Sequence, residues 1–239
     1  MSDFDFDIIR RSWPLMREAT WTSIQLFAWS LLLASIIGLA FALMRLSNVR
    51  ALRWVAAVYV WVFRGLPALV ILFFAFFWVG RELNLTSFQA AILGLGVSSG
   101  AYKAEIIRAG IMAVDSGQRE AADALAMTRT QSMRRIILPQ GIRVMIPNYV
   151  SNATLLFKST SLATVIGLNE LTGRSRQLAN STFQPIEILT AAGVIYLVVT
   201  SVLVGAQAVS YTHLTLPTKE SRGGWGGWGG GCGGGGGGG

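Results

Sequence analysis

Three groups of residues have types and spacing that could support chemistry. GLNELTGRS, from Gly167, has the outline of a phosphate-binding loop, but five residues separate its glycines where the pattern requires four. Arg174 also follows the second glycine where the pattern has lysine, so the chain is not expected to hydrolyse ATP itself. In AYKAEIIRAGI, Glu105 and Arg108 stand three apart, the spacing of a local ion pair on a helix. Lys103, at the end of an apolar run, is expected to snorkel to a membrane interface. The third group, Asn148, Asn152, Lys158, Ser159, Thr160 and Ser161, lies along a short apolar segment and its continuation. Polar groups within a membrane usually face a bundle interior or water, which makes these six candidates for a translocation path. Interhelical hydrogen bonds would use the same amides and hydroxyls, and both readings stay open. No catalytic residue and no metal ligand is assigned, because Cys232 and His213, the only residues of their types, both fall in a biased tail.

The elements that would position these residues are apolar and long. The 239-residue chain is 52% hydrophobic and 13% charged, with a net charge of +8. That charged fraction is about half of what soluble domains carry. The basic residues sit mostly beside apolar blocks, which suits cytoplasmic loops better than nucleic acid. Residues 19–44 carry no charge and exceed the ~20 residues that cross a bilayer core, so they form a first span. Residues 1–18 read as an extracytoplasmic or interfacial segment with a short helix of its own, which Pro14 disfavours. Three aspartates before the first arginine argue against a cleaved signal peptide. Arg45, Arg50 and Arg53 then mark a loop without acids as cytoplasmic, which places the N-terminus outside.

A second block, Trp54 to Gly80, is interrupted by FRGLP, where Gly65 and Pro67 predict a bend and Arg64 must face protein, water or a boundary. A third span opens at Leu83, with Gly94, Gly96 and Gly100 allowing close helix approach. Residues 144–157 make a short fourth and residues 188–208 a fifth. The fold class is therefore an all-α integral membrane protein with about five transmembrane helices over residues 19–208, its native C-terminus cytoplasmic. Residues 209–239 change character. VSYTHLTLPT resembles a translated transposase adapter and the polyglycine resembles translated poly-G base calls, so this tail is read as non-native, in preference to a flexible linker.

Between the third and fourth spans lies GQREAADALAMTRTQSMRRIILPQG, polar and rich in helix formers. Asp115 with Gln118, and Thr128 with Gln131, read as two helix starts of the capping-box kind. Asp115 and Arg119 are spaced for an i,i+4 pair. Ala121, Ala122 and Leu125 make a small-residue face with one plug, suited to close docking. Met133, Ile136 and Ile137 form an apolar stripe opposite Arg134 and Arg135, and Pro139 either ends that helix or begins the next. On these features alone, a solvated linker and a docking element are equally good readings.

GQREAA, ALAM and IILPQ, with AYKAEIIRAGI upstream, FRGLP in the second block and LLFKSTSLATVIGLNELT downstream, resemble the permeases of ATP-binding-cassette importers of type I, in particular those for polar amino acids. The resemblance covers roughly residues 20–208. It implies that residues 112–140 form the cytoplasmic EAA coupling loop. Gly117, Glu120, Ala121, Ala122 and Leu125 would contact the ATPase, with Ala126 where the family commonly has glycine, and Ile137, Leu138 and Pro139 would close the loop. Leu66 departs similarly from the family's RGTP. It further implies a second permease subunit, the same or homologous, a cytoplasmic ATPase dimer, an extracytoplasmic solute-binding protein and a bacterial inner-membrane location. This chain would bind no cofactor, ATP being used by the partner subunit. The main rival is a secondary transporter or channel driven by an ion gradient, and a recruiting scaffold is a third reading. The ion-driven rival is disfavoured by the few intramembrane carboxylates.

Overall fold

The structure is a computed structural model that describes residues 4–214, with side chains to residue 205. Among the described residues every regular element is a helix. The first, α1 (Phe6–Leu46), runs 41 residues without a break after an Asp5 side-chain cap on the Asp7 amide. At 1.5 Å per residue that is about 60 Å, roughly twice a hydrocarbon core. The expected short helix ahead of the first span is thus corrected, since Pro14 lies inside α1. The carbonyl deprived of its donor belongs to Arg10, an exposed residue, where solvent can satisfy it.

The buried side of α1 is Ser12, Met16, Ala19, Ser23, Leu26, Ser30, Ala34, Gly38 and Ala42, in steps of three or four. Its outer side carries Trp21, Trp29, Leu32, Ile36, Leu39 and Leu43, each at least half exposed. A soluble helix has the opposite arrangement. Lipid is as apolar as leucine, so helices in a membrane associate through close packing, and small residues mark the seam. The mate is α4 (Ser87–Met112), started by a reciprocal Thr86–Gln89 capping box. A Cβ on Gly38 would lie 2.6 Å from the Lys103 Cβ, and one on Gly100 would lie 2.8 Å from Ile37, so neither position tolerates a side chain as packed. Gly94 and Gly96 likewise admit Leu72 and Leu33.

The second apolar block is broken as expected. α2 (Arg50–Gly65) ends at Leu66, held extended ahead of Pro67, and α3 (Ala68–Phe73) continues through a wide turn, Phe74–Gly80. The two halves meet at 106°. After α4 come α5 (Ser116–Ala124) and α6 (Arg129–Ser132), then a wide turn, Met133–Ile137, that passes directly into α7 (Leu138–Ser159). Of the two readings of Pro139 the second holds, since it stands in the first turn of α7. The Leu138 amide reaches five residues back to Met133, and that wide turn carries the helix past the proline.

A tight turn of helix, Thr160–Ile166, leads through Gly167 at φ +80° to α8 (Leu171–Thr182) and α9 (Pro185–Leu214). α1 and Pro185–Gly205 are each long and apolar enough to cross a membrane, and the bent pair makes a third span if its halves are counted together. α7 packs against α1, α4 and α9. The side chains of the expected non-native tail, His213 and Cys232 included, lie outside the described residues.

Candidate coupling loop and translocation path

The polar segment is tied down at both ends. At its base Gly110 and Gly141 let α4 and α7 meet, since a Cβ on Gly141 would lie 3.0 Å from the Gly110 carbonyl oxygen. Beside them Ala42, Ile107, Ile111, Val114, Ile137 and Met145 form one buried apolar cluster. Of the three residues expected to close the loop, Ile137 enters this cluster, while Leu138 and Pro139 are exposed.

The Asp115 carboxylate caps α5 by accepting from the Gly117 amide at 2.7 Å. Gln118 does not return the capping bond but accepts from Gln140 Nε2 at 3.1 Å, joining α5 to the start of α7. Arg119, expected to pair with Asp115, instead donates Nη2 to the Ile111 carbonyl at 3.1 Å and so caps the end of α4. That carbonyl is one of the orphan acceptors of a helix C-terminus, which a guanidinium satisfies well. At Thr128 the expected reciprocal box with Gln131 is present.

Gly117, Glu120, Ala121, Leu125 and Ala126 are exposed, whereas Ala122 is fully buried. The docking face expected from Ala121, Ala122 and Leu125 is therefore corrected. One helical step turns Ala122 onto the protein, and the outward face is Glu120, Ala121 and Ala124 with Leu125, which is 74% exposed. The helix ends with the Ala126 amide donating to Asp123 and the Met127 amide to Ala122, and Ala126 adopts φ +52°. This paired closure normally uses glycine at the left-handed position, and an L side chain there costs about 1 kcal/mol. The divergence at residue 126 thus falls where backbone geometry favours glycine.

Just beyond the uncharged part of α4, Glu105 receives Arg108 Nη2 at 2.8 Å and lies 3.4 Å from Arg45 Nη2. The Arg108 hydrogen bonds, opposed by burial and helped by the neighbouring arginine charges, hold the Glu105 carboxyl below the usual carboxylate range. The expected local pair is present and extends to α1. Arg64 sits 5.4 Å from the Tyr102 ring centroid, exposed just before the bend.

The six candidate path residues separate. Asn152 accepts a hydrogen bond from Ser99 at 3.0 Å, and with Ser98, Tyr102 and Ser159 it lines a cavity of about 130 Å³. Asn148 and Lys158 are exposed elsewhere. Ser159, Thr160 and Ser161 bond their hydroxyls to the carbonyls of Leu155, Phe157 and Lys158, so these bonds stay within their own turns. Only Asn152 and Ser159 of the six reach the cavity.

The sequence reading missed the two most deeply buried ionisable groups. Lys103 does not snorkel. It is fully buried, its ammonium has no hydrogen-bond partner among the described residues, and its Nζ lies 3.8 Å from the Tyr149 ring centroid. Tyr149 in turn shares a hydrogen bond with Ser35 of α1. The signal was helical register, because Lys103 follows Gly96 and Ser99 at steps of three and four on the face that packs on α1 and α7. Glu170, also fully buried, caps α8 by accepting from the Thr172 and Gly173 amides and is approached by Tyr196 and Ser23.

A helical bundle whose outer surface is apolar and whose polar loop is capped and exposed has the architecture of an integral membrane protein. Residues 30–214 match the family of binding-protein-dependent transport system inner membrane components, and the chain belongs to that family. It is 38% identical over 210 residues to the nopaline transport system permease protein NocM of Agrobacterium fabrum, covering 83% of this chain and 87% of that one. With the L-cystine transport system permease protein TcyB of Bacillus subtilis it shares 37% over 197 residues, 81% of this chain and 84% of that one. A crystal structure of an amino acid ABC transporter superposes with a TM-score of 0.82 at 31% identity, over 88% of this chain and 99% of that one.

Proposed function

We propose that this chain is the permease subunit of an ATP-driven importer of polar amino acids. In this reading it crosses the bacterial inner membrane five times, N-terminus outside and native C-terminus cytoplasmic. It pairs with a second permease subunit and forms the path by alternating access. A solute-binding protein delivers the amino acid from outside, and a cytoplasmic ATPase dimer consumes ATP. This chain itself binds no cofactor. The amino-acid class rests on relatives that carry nopaline and cystine and on the superposed amino acid transporter.

The observation that carries the coupling role is the way α5 is mounted. It is capped at both ends, tied to α4 through Arg119 and Ile111 and to α7 through Gln118 and Gln140, yet exposes Glu120, Ala121 and Leu125. Closure of two ATPases on ATP must move rigid elements, and a helix so braced passes displacement to both α4 and α7. Asn152 and Ser159, at the cavity between α4 and α7, then stand where the two helices would part. Uptake by proteoliposomes containing this chain with its ATPase and binding protein tests the reading. ATP-dependent uptake that Glu120→Lys lowers at least about tenfold, at normal membrane insertion, is the expected result. Uptake driven by an ion gradient without the ATPase would overturn it in favour of a secondary transporter.

A further inference from the structure

We propose that the cleft between the α1–α2 turn and the last turns of α4 binds the phosphate headgroup of an anionic phospholipid. The cleft has a volume of about 330 Å³ and is lined by Arg45, Arg50, Arg53, Trp54, Arg108 and Met112, among others. Four guanidinium groups therefore converge on one opening. The acid that answers them is Glu105, which is already shared between Arg108 and Arg45. Arg50 and Arg53 are exposed and make no ion pair among the described residues. Guanidinium forks match phosphate oxygens in a bidentate way, so the surplus of cations is chemically suited to a phosphodiester.

A phospholipid is favoured over a free phosphate by what lies next to the cleft. Trp54, Val58 and Trp61 are 66, 52 and 78% exposed and follow one another at helical steps of four and three along α2. They form an apolar track leading away from the arginines, as an acyl chain would require. Basic pockets at the ends of membrane helices with an aromatic residue at the rim suit anionic headgroups. An occupant would also touch Arg108 and Met112, in the final turns of α4, whose Ile111 carbonyl receives Arg119 of α5. The headgroup would then stiffen the end of the helix that carries the loop. This inference rests on the chain lying in a membrane, and it stands or falls independently of the coupling role.

The test is lipid retention, which needs no transport. The full chain in mild detergent is incubated with equal amounts of phosphatidylglycerol and phosphatidylcholine, and bound lipids are counted by native mass spectrometry. Phosphatidylglycerol should be retained at least about tenfold over phosphatidylcholine, because its headgroup alone of the two carries a net negative charge for the arginines. Arg50→Gln with Arg53→Gln should abolish that preference, while the Arg50→Lys, Arg53→Lys pair keeps it. Arg174→Gln with Arg176→Gln, on α8, should leave it unchanged. No preference in the parent chain, or equal loss in the α8 variant, would overturn the site. Inorganic phosphate retained by the parent chain without any phosphatidylglycerol preference, and lost in the Arg50→Gln, Arg53→Gln pair, would overturn the lipid and assign the cleft to soluble phosphate.

Discussion

Two junctions in this protein each bury an ionisable side chain completely, and they treat it in opposite ways. Where α1, α8 and α9 meet, Glu170 collects two amides, the Tyr196 hydroxyl and the Ser23 hydroxyl. Where α1, α4 and α7 meet, the Lys103 ammonium has no hydrogen bond among the described residues and lies over the Tyr149 ring. A buried charge without partners is costly, and one with several is a structural anchor. The first junction is therefore built to stay, whereas the second holds α4 and α7 together without a specific bond at the ammonium. The cavity at Asn152 and Ser99 lies one helical turn from Lys103, between helices of the second kind.

The largest expected effect comes from breaking the satisfied junction. Glu170→Ala strands the Thr172 and Gly173 amides and should cost at least about 3 kcal/mol, read as a lower thermal midpoint of the detergent-solubilised protein. A loss below about 1 kcal/mol would mean that water replaces the carboxylate and that the two junctions do not differ. Gly38→Val comes next, because its Cβ would collide with Lys103 and Ala104, and overpacking of this kind costs about 1 to 3 kcal/mol. Retained stability would show that α1 and α4 can separate freely.

Lys103→Met should be neutral or stabilise by about 1 kcal/mol, since an apolar side chain of similar volume removes the buried charge. Tyr149→Leu should cost about 1 kcal/mol in the parent and less in the Lys103→Met background, where no cation faces the ring. Additive losses in that double-mutant cycle would deny the cation–ring contact. The smallest change is Ala126→Gly, expected to relieve about 1 kcal/mol of left-handed strain and to slow amide exchange across α5. Unchanged exchange would place the strain elsewhere.

Much of the polar segment and of the helix end before it was legible because the bonds there are local. The Thr128–Gln131 box, the Asp115 cap and the Glu105–Arg108 pair each join residues two or three apart, so spacing alone predicts them. The bend at Pro67 is equally local. Three readings failed where a distant partner decided the outcome. Arg119 chose the Ile111 carbonyl over Asp115, Ala122 turned inward against the protein, and Lys103 entered the helix seam. For Pro139 spacing left two readings, and the structure takes the second, with the proline in the first turn of α7 directly after a wide turn.

By itself the sequence determined the helical class, the apolar blocks, the broken second block and the caps of the polar loop. These follow from hydropathy and from hydrogen bonds within one or two turns. Only the tertiary structure decided which face of α5 is free, which of the candidate path residues share a cavity, and which ionisable groups are buried. In a membrane protein the outer surface is as apolar as the interior, so hydropathy does not separate the two faces of a helix, and only the packing of small residues against a particular neighbour does.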